Sequence, residues 1–205
     1  MVKQAVIGFF IALCALWYTA ANAQTIPSSD LDTARVYTNL ETAMENRDQV
    51  LRLDLSRQKL YDFPPEIFQL TNLQDLKLNK CRIIELPDSF ALLPNLKHLQ
   101  SQHNEIGTIP LSLLQLKNLI TLDLADNIIE VIPNEIEGLA QLETLALWDN
   151  PLTTYPESLT QLTQLKVLDL LNNAISRETQ QRLNEGLPKC KIIMSPPCAC
   201  MDGGE

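Results

Sequence analysis

Apolar residues recur along most of the chain with a period much longer than that of a helix or a strand. Six leucines follow one another at one constant spacing of twenty-three positions: Leu53, Leu76, Leu99, Leu122, Leu145 and Leu168. They divide the sequence from 50 to 187 into six contiguous units that begin at positions 50, 73, 96, 119, 142 and 165. A fixed period of this length predicts a repeat architecture in which each unit stacks on the next.

Seven positions of the repeat, namely 1, 4, 6, 11, 14, 18 and 21, are apolar in nearly every unit. Across the six units the exceptions are only Ser101, Glu178, Arg182 and Glu185. Each buried aliphatic side chain contributes about 1.5–3 kcal/mol, so stacked units gain a core that no single unit can form. We expect Ser101 to leave a small packing defect in which its hydroxyl bonds the backbone.

Two further positions of the repeat show how each coil turns. Position 9 carries a short amide or thiol in most units and forms a predicted structural ladder of Gln58, Cys81, Asn104, Asn127, Asn150 and Asn173. A buried amide there can satisfy turn backbone groups that would otherwise be unpaired. Position 15 is proline in the first five units, which fixes φ and removes an N–H where the chain leaves the strand side. Each coil is therefore predicted to have one strand and one outer limb.

These residues resemble the leucine-rich-repeat family, in particular its 23-residue class with the pattern LxxLxLxxNxLxxLPxxLxxL. That class includes Ras-suppressor-like, disease-resistance-like and bacterial exported proteins. The resemblance covers residues 50–187. It implies an α/β solenoid, a horseshoe with a parallel concave sheet, an N-terminal helical cap and a C-terminal helix-strand cap. The matching residues are the ones expected to be buried, so the resemblance predicts the fold and says little about a ligand.

A solenoid exposes its core at both ends unless other segments cover it. Residues 24–49 are predicted to form the N-terminal cap, with one helix over 29–46 that starts at Ser29 or Asp30. At the other end the sixth unit loses its proline, and a helix from Ser176 to Glu185 is expected before a last strand at 190–194. Residues 188–205 are predicted to hold this strand and a loose tail, and the sequence LPKCKII resembles the terminal cap of bacterial family members.

Residues 1–23 have the features of a secretory signal peptide. Lys3 is followed by an uncharged apolar run, and Ala21-Asn22-Ala23 places small residues at −3 and −1 of a cleavage point before Gln24. The apolar run is shorter than the roughly 20 residues of a membrane-spanning helix, so no stable membrane insertion is expected after cleavage. The chain is therefore predicted to be exported to the periplasm, the cell envelope or the medium. An intracellular scaffold is the alternative if this segment is not removed.

The cysteines do not form a disulfide framework. Cys81 lies in the ladder, whereas Cys190, Cys198 and Cys200 lie close together near the C-terminus. In an oxidising compartment Cys190 can form a disulfide with one of the two tail cysteines, although the spacing does not say which.

The concave face is predicted from strand alternation, since positions 3, 5 and 7 point away from the core when positions 4 and 6 point inward. Position 8 borders this face. The face is basic and polar in the first two repeats, and acidic with exposed apolar groups in the last three. The residues predicted to bind a partner are His98, Gln100, Gln102, His103, Asp123, Asp126, Trp148, Asp149, Asp169 and Leu171.

This change of charge and polarity along the concave face suits an oriented protein partner. Trp148 and Leu171 would be its apolar anchors, beside Ala146 and Val167. Trp148 can instead lie flat on its neighbours. A glycan-contacting or structural envelope protein that uses the acid and amide strip is the alternative from another class. The net charge of −9 disfavours nucleic acid as a partner.

No catalytic constellation is found in the sequence. There is no nucleophile with a base, no paired-carboxylate pocket and no glycine-rich phosphate loop, so we predict that the chain is not an enzyme and needs no cofactor. His98 and His103 belong to one repeat and suggest a metal site, but such a site needs three or four converging ligands. We therefore expect no metal.

Overall fold

The structure is a computed structural model that describes residues 31–197. The chain divides into two compact units, Met1–Thr33 and Ala34–Glu205. The first unit contributes only residues 31–33 to the described part, where Leu31 is buried. The predicted signal peptide, Cys198 and Cys200 lie outside the described residues. The second unit contains all the repeats.

Eight strands form one parallel sheet in which every strand pairs with its neighbours in chain order. The strands are β1 (Val36–Tyr37), β2 (Arg52–Asp54), β3 (Asp75–Lys77), β4 (His98–Gln100), β5 (Thr121–Asp123), β6 (Thr144–Ala146), β7 (Val167–Leu170) and β8 (Lys191–Met194). From β2 to β7 the register advances by one repeat at each step, so that Leu53 pairs with Leu76 and Leu76 with Leu99. The repeat period therefore sets the strand register, as the constant leucine spacing predicts.

The outer limbs are short 3-10 helices that span Pro65–Gln69, Phe90–Leu92, Leu113–Gln115, Asn134–Gly138 and Glu157–Gln161. Prolines at position 15 stand at the start of several of them, and Pro64, Pro133 and Pro156 are extended with φ between −63° and −68°. Proline supplies this φ without strain and lacks the N–H that the first turn cannot use. A further 3-10 helix, Arg47–Gln49, precedes the first repeat.

The core lies between the sheet and the outer limbs. The repeated leucines of β2 to β7 are at most 1% exposed. Phe63, Phe68 and Phe90 form an aromatic cluster under the first two repeats, with ring centroids 5.1–5.7 Å apart. Ser101 is also completely buried, but its hydroxyl accepts a hydrogen bond from the Asn104 side chain at 3.0 Å, not from the backbone.

The N-terminal cap differs from the single helix predicted over 29–46, and that prediction is wrong in its first half. Val36 and Tyr37 form β1, which pairs with β2 and so occupies hydrogen-bonding groups that would otherwise form the edge of the sheet. A β-branched and an aromatic residue suit a strand, and Tyr37 is 5% exposed. The helix α1 spans only Leu40–Glu45, and its N-cap is Asn39, which accepts from the Thr42 N–H.

The C-terminal cap confirms the prediction of a helix followed by a strand. The helix α2 spans Arg177–Gly186, and the Ser176 side chain accepts a hydrogen bond from the Thr179 N–H. Strand β8 then pairs with β7 in parallel. The polar residues that break the inward columns in the sixth unit lie on α2, where Arg182 donates to the Tyr155 carbonyl at 2.6 Å. Among residues 31–197, no helix is both long and apolar enough to cross a membrane.

Two glycines give a test of how tightly the limbs pack. A Cβ added at Gly138 would clash with the carbonyl oxygen of Leu114, whereas one added at Gly107 would lie 4.0 Å from the Ile128 side chain. We expect Gly138→Ala to lower the free energy of unfolding by about 1–3 kcal/mol, because backbone must move, and Gly107→Ala to be nearly neutral. Urea denaturation of both variants measures this. Equal stability of the two would contradict the packing of these limbs.

Candidate functional site

The candidate site is the face of the sheet that points away from the core, which we call the sheet face. Strand alternation places four of the predicted residues there, and the other six follow the strands directly; the four are His98, Gln100, Asp123 and Asp169. Register puts Gln100 beside Asp123, and Ala146 beside Asp169. His98, Gln100, Gln102, His103, Asp123, Asp126, Trp148 and Asp169 are half-buried, while Asp149 and Leu171 are exposed.

Position 8 has a backbone conformation that the repeat pattern did not reveal. Its residues all adopt positive φ, from 51° to 67°: Arg57, Lys80, His103, Asp126, Asp149 and Asn172. In five of these the N–H still donates to a carbonyl of the following repeat, at 2.7–3.0 Å. Side chains at this column therefore stand at the edge of the sheet face, where the chain turns out of each strand. Asp and Asn tolerate this region well, which was the available signal.

The position 9 ladder fixes the turn beneath this edge. The Asn104 Oδ1 accepts from the backbone N–H groups of Cys81 and Ile83, and its Nδ2 donates to the Leu78 carbonyl at 2.8 Å. The asparagines of the next three repeats bond in the same way. Cys81 donates from Sγ to the Leu55 carbonyl, and Gln58 donates to Thr38. A buried hydrogen-bond network thus holds the turn that carries each side chain of position 8.

Trp148 lies on the sheet face directly after β6 and contacts His103, two repeats away. Their ring centroids are 5.9 Å apart with the planes nearly perpendicular, a favourable edge arrangement. Adjacent strands are about 4.8 Å apart, so the two rings must lean toward each other over the intervening repeat. That repeat carries Ala125 at position 7, which is 0% exposed although it lies on the sheet face. A small residue there leaves room for the rings to meet.

Carboxylates surround this ring pair. The His103 Nδ1 is in contact with the Asp126 Oδ2, and the Gln102 amide donates to the Asp123 Oδ2. Burial raises the pKa of the Asp123 carboxyl above its ordinary value, and the charge of Asp169 acts in the same direction. Hydrogen bonds from Gln102 and the Ala125 N–H, and His103, partly oppose the shift in this pKa.

The predicted apolar patch is smaller than the sequence indicates. Ala146 is only 9% exposed, and Val167 and Trp148 are half-buried. Leu171 is 40% exposed and lies in the repeat next to Trp148. Trp148 and Leu171 therefore remain as the large apolar side chains of this region that solvent reaches, whereas Ala146 is buried.

The two histidines of the third repeat have separate partners. The His98 Nδ1 shares a hydrogen bond with the Thr121 Oγ1 at 3.1 Å, while His103 contacts Asp126. Within residues 31–197, no three His, Cys, Asp or Glu side chains converge on one metal position.

Burial raises the pKa of the Cys81 and Cys190 thiols. The tail cysteines expected as partners of Cys190 lie outside the described residues.

The raised pKa of Asp123 predicts a pH-dependent effect on stability. The folded state holds the proton of the Asp123 carboxyl more tightly than the unfolded state does. The protonated carboxyl therefore contributes stability that is fully present below the unfolded pKa of 3.8 and is lost as pH rises through the folded pKa. We expect Asp123→Asn to raise the thermal midpoint at pH 7 by a few degrees and to have little effect near pH 3. About 1 kcal/mol moves the midpoint of a chain of this size by about 2–4 °C.

Thermal unfolding between pH 3 and pH 7 measures this difference. Asp149→Asn is the matched control, because it removes the same charge at an exposed position. A gain for Asp123→Asn that does not change with pH would contradict the assignment.

Comparison with known proteins places the chain in a family. The family model described as Leucine rich repeat matches residues 49–106 and 102–152, which together cover half of the sequence. The chain belongs to the leucine-rich-repeat family. This repeat fold is typical of protein-binding modules, and the family is typically non-catalytic. A search of curated proteins finds no match.

Solved leucine-rich-repeat structures resemble this one. A Leptospira interrogans leucine-rich-repeat protein is 30% identical over 80% of this chain and 49% of its own, with a TM-score of 0.65. Internalin C2 from Listeria monocytogenes is 26% identical over 77% of this chain and 66% of its own, with a TM-score of 0.66. The chain thus spans about half of the first protein and two thirds of the second. The leucine-rich-repeat protein TLR13, solved in complex with ssRNA13, is 30% identical over 72% of this chain and 22% of its own, with a TM-score of 0.63.

Proposed function

We propose that the chain is a non-catalytic, exported protein-binding module that recognises a macromolecular partner on the sheet face. The proposed contact residues are His98, Gln100, Gln102, His103, Asp123, Asp126, Trp148, Asp149, Asp169 and Leu171. The observation that carries the proposal is the arrangement of Trp148, whose ring packs nearly perpendicular to that of His103, beside the exposed Leu171. An aromatic anchor that is already fixed loses little conformational entropy on binding, and aromatic residues with a polar rim mark binding sites.

A protein suits this face better than a nucleic acid. The rim of the Trp148–Leu171 region carries Asp126, Asp149 and Asp169, and the chain has a net charge of −9. A phosphate backbone is repelled by such a surface. The ssRNA in the TLR13 structure belongs to that protein's complex. Partner groups opposite these carboxylates are expected to be basic or hydrogen-bond donors.

A binding experiment with matched variants tests the site. The purified chain and the Trp148→Ser/Leu171→Asp variant are immobilised and exposed to an extract of the source organism and its surroundings. We expect one partner to be retained by the unmodified chain and at least tenfold less by the variant. Leu92→Ser/Leu111→Asp is the control, because Leu92 and Leu111 are more exposed than Leu171 and lie outside the strands, at 58% and 51%.

Equal retention by the Trp148→Ser/Leu171→Asp variant and the unmodified chain, with both folded by circular dichroism, would reject the sheet face as the site. Retention lost only in the control would place the site on the outer limbs. Binding to arrayed glycans and to no protein would favour the glycan-contacting alternative.

Export is supported by the order of Lys3, the apolar run and the Ala21-Asn22-Ala23 site, and by the likeness to an internalin. N-terminal sequencing of the protein isolated from its own cells tests it. A first residue of Gln24 is expected. A chain that begins at Met1 would reject export and favour the intracellular scaffold.

A further inference from the structure

An open depression of about 490 Å³ lies on the part of the sheet face formed by the first three repeats, and it borders the Trp148 region at His103, whose ring contacts Trp148. It is lined almost entirely by polar and charged residues of the first three repeats and the N-terminal cap: Thr38, Asp54, Ser56, Arg57, Gln58, Asn79, Lys80, Gln102 and His103. We call it the basic depression. Neither of the proposed apolar anchors lines it.

The fold places a row of nitrogen-bearing side chains along the basic depression. Arg57, Lys80 and His103 occupy position 8 in successive repeats, each with positive φ. Their backbones are joined to the next repeat by regular hydrogen bonds, such as Arg57 N–H to the Asn79 carbonyl at 2.7 Å. Neighbouring strands are about 4.8 Å apart, so these side chains leave the sheet at close, regular intervals.

The positive charges of Arg57 and Lys80 are available for a ligand. Within the described part of the chain, neither the Arg57 guanidinium nor the Lys80 ammonium forms a salt bridge, and both residues are exposed. By contrast, Arg52 on the same face is paired with Asp75. Asp54 supplies the single carboxylate of the lining against these two cations. The lining is therefore net positive in a chain whose overall charge is −9.

The hydrogen-bonding pattern also favours an acceptor as ligand. Three oxygens of the lining already accept from backbone N–H groups: the Asp54 Oδ1 accepts from Ser56, the Ser56 hydroxyl from Asn79, and the Asn79 Oδ1 from Gln102. With its oxygen so engaged, the Asn79 NH₂ has no acceptor within residues 31–197. The basic depression thus presents an amide, a hydroxyl, an ammonium and a guanidinium as donors. Carboxylates, which only accept, match this set.

We propose that the basic depression binds the carboxylates of a short acidic peptide segment. This inference rests on the proposed function, because the segment would belong to the same partner and would fix its direction along the sheet. A long polyanion fits poorly, since the position 8 column turns acidic immediately beyond His103, at Asp126 and Asp149. A sugar ring would find no Trp, Tyr or Phe in the lining on which to stack.

Nuclear magnetic resonance titration with a triglutamate peptide tests the proposal, using the full purified chain. We expect saturable shifts of the Asn79 side-chain NH₂ and the Arg57 Nε–H, and an apparent dissociation constant that increases with salt. Arg57→Asn/Lys80→Asn should raise this constant at least tenfold. Asparagine tolerates positive φ, so this variant is expected to fold normally, and the dispersion of its spectrum verifies that.

Lys117→Asn/Lys189→Asn is the matched control, because it removes two exposed charges outside the basic depression. Unchanged binding of triglutamate by this control supports the proposal. Equal loss in both double variants, or shifts confined to other residues, would overturn it. A trigalacturonate that shifts the Asn79 and Arg57 signals at lower concentration than triglutamate would also overturn the peptide assignment.

The two proposals fail in different ways. If retention of the partner requires Trp148 and Leu171 but triglutamate does not shift the resonance of the Asn79 side-chain NH₂, only the basic depression is wrongly assigned. If triglutamate binds as expected while Trp148→Ser/Leu171→Asp retains the partner fully, the proposed anchors are wrong and the depression stands.

Discussion

Replacing Asn127 by leucine is expected to lower the free energy of unfolding by about 3–6 kcal/mol. Asn127 is 6% exposed, and its Oδ1 accepts from the Ile106 N–H at 3.1 Å. Its Nδ2 donates to the carbonyls of Ser101, Leu124 and Ala125 at 2.9–3.1 Å. Leucine replaces none of these bonds, and each buried polar group left unpaired costs about 1–3 kcal/mol. Urea denaturation measures the loss.

The control for this experiment is Asn118→Leu. Asn118 is exposed, and its side chain makes one hydrogen bond, to the Pro94 carbonyl at 2.9 Å. We expect its loss to cost about 0.5–1.5 kcal/mol, the usual net contribution of a single hydrogen bond. If Asn127→Leu costs no more than Asn118→Leu, the ladder does not stabilise the turns.

Replacing Arg52 by methionine is expected to lower the free energy of unfolding by about 3–5 kcal/mol. The Arg52 Nε lies 3.1 Å from the Asp75 Oδ2, and the Asp75 side chain is only 10% exposed. The second oxygen, Asp75 Oδ1, is buried without a hydrogen-bond partner. Methionine keeps most of the apolar stem of Arg52 but leaves the Asp75 carboxylate buried and uncompensated. Chemical denaturation at pH 7 gives the magnitude.

Two further variants separate loss of the ion pair from loss of packing. Arg52→Met/Asp75→Asn removes both charges and should recover most of the lost stability, because no uncompensated charge remains. Arg47→Met should cost less than about 1 kcal/mol, since Arg47 and Asp48 form an exposed pair at 3.8 Å. A double variant no more stable than Arg52→Met would show that packing, not charge, explains the effect.

The fold was predictable because its determinants recur. The leucines of β2 to β7 point inward in every repeat, so one error in a single unit could not shift the register. The N-terminal cap occurs only once, and there the local sequence pattern predicted a helix where the structure has a strand. The residues from Val36 to Met44 fit a helical spacing, yet Val36 and Tyr37 pair with β2 because the sheet requires a partner at its edge. The C-terminal helix was found because Ser176 gives a clear N-cap signal.

The sheet face was predictable as a set of positions but not as a set of contacts. Alternation assigns Ala125 to the same face as Trp148, but it does not show that Ala125 is fully buried or that the rings of His103 and Trp148 meet. That contact joins residues two repeats apart and depends on rotamers. The basic depression was hidden for a similar reason. The side chains at position 8 can be read from the sequence, whereas the orientation of the Asn79 amide follows only from its bond to Gln102.

Site-specific photo-crosslinking tests the central claim, that a protein partner binds the sheet face, most directly. A benzophenone amino acid is placed at Leu171 in one variant and at Leu92 in another, both exposed positions. Each variant is irradiated in the same extract of the source organism and its surroundings. A single protein crosslinked through position 171 and not through position 92 is the predicted result. The same partner crosslinked through position 92 and not through position 171 would contradict the claim.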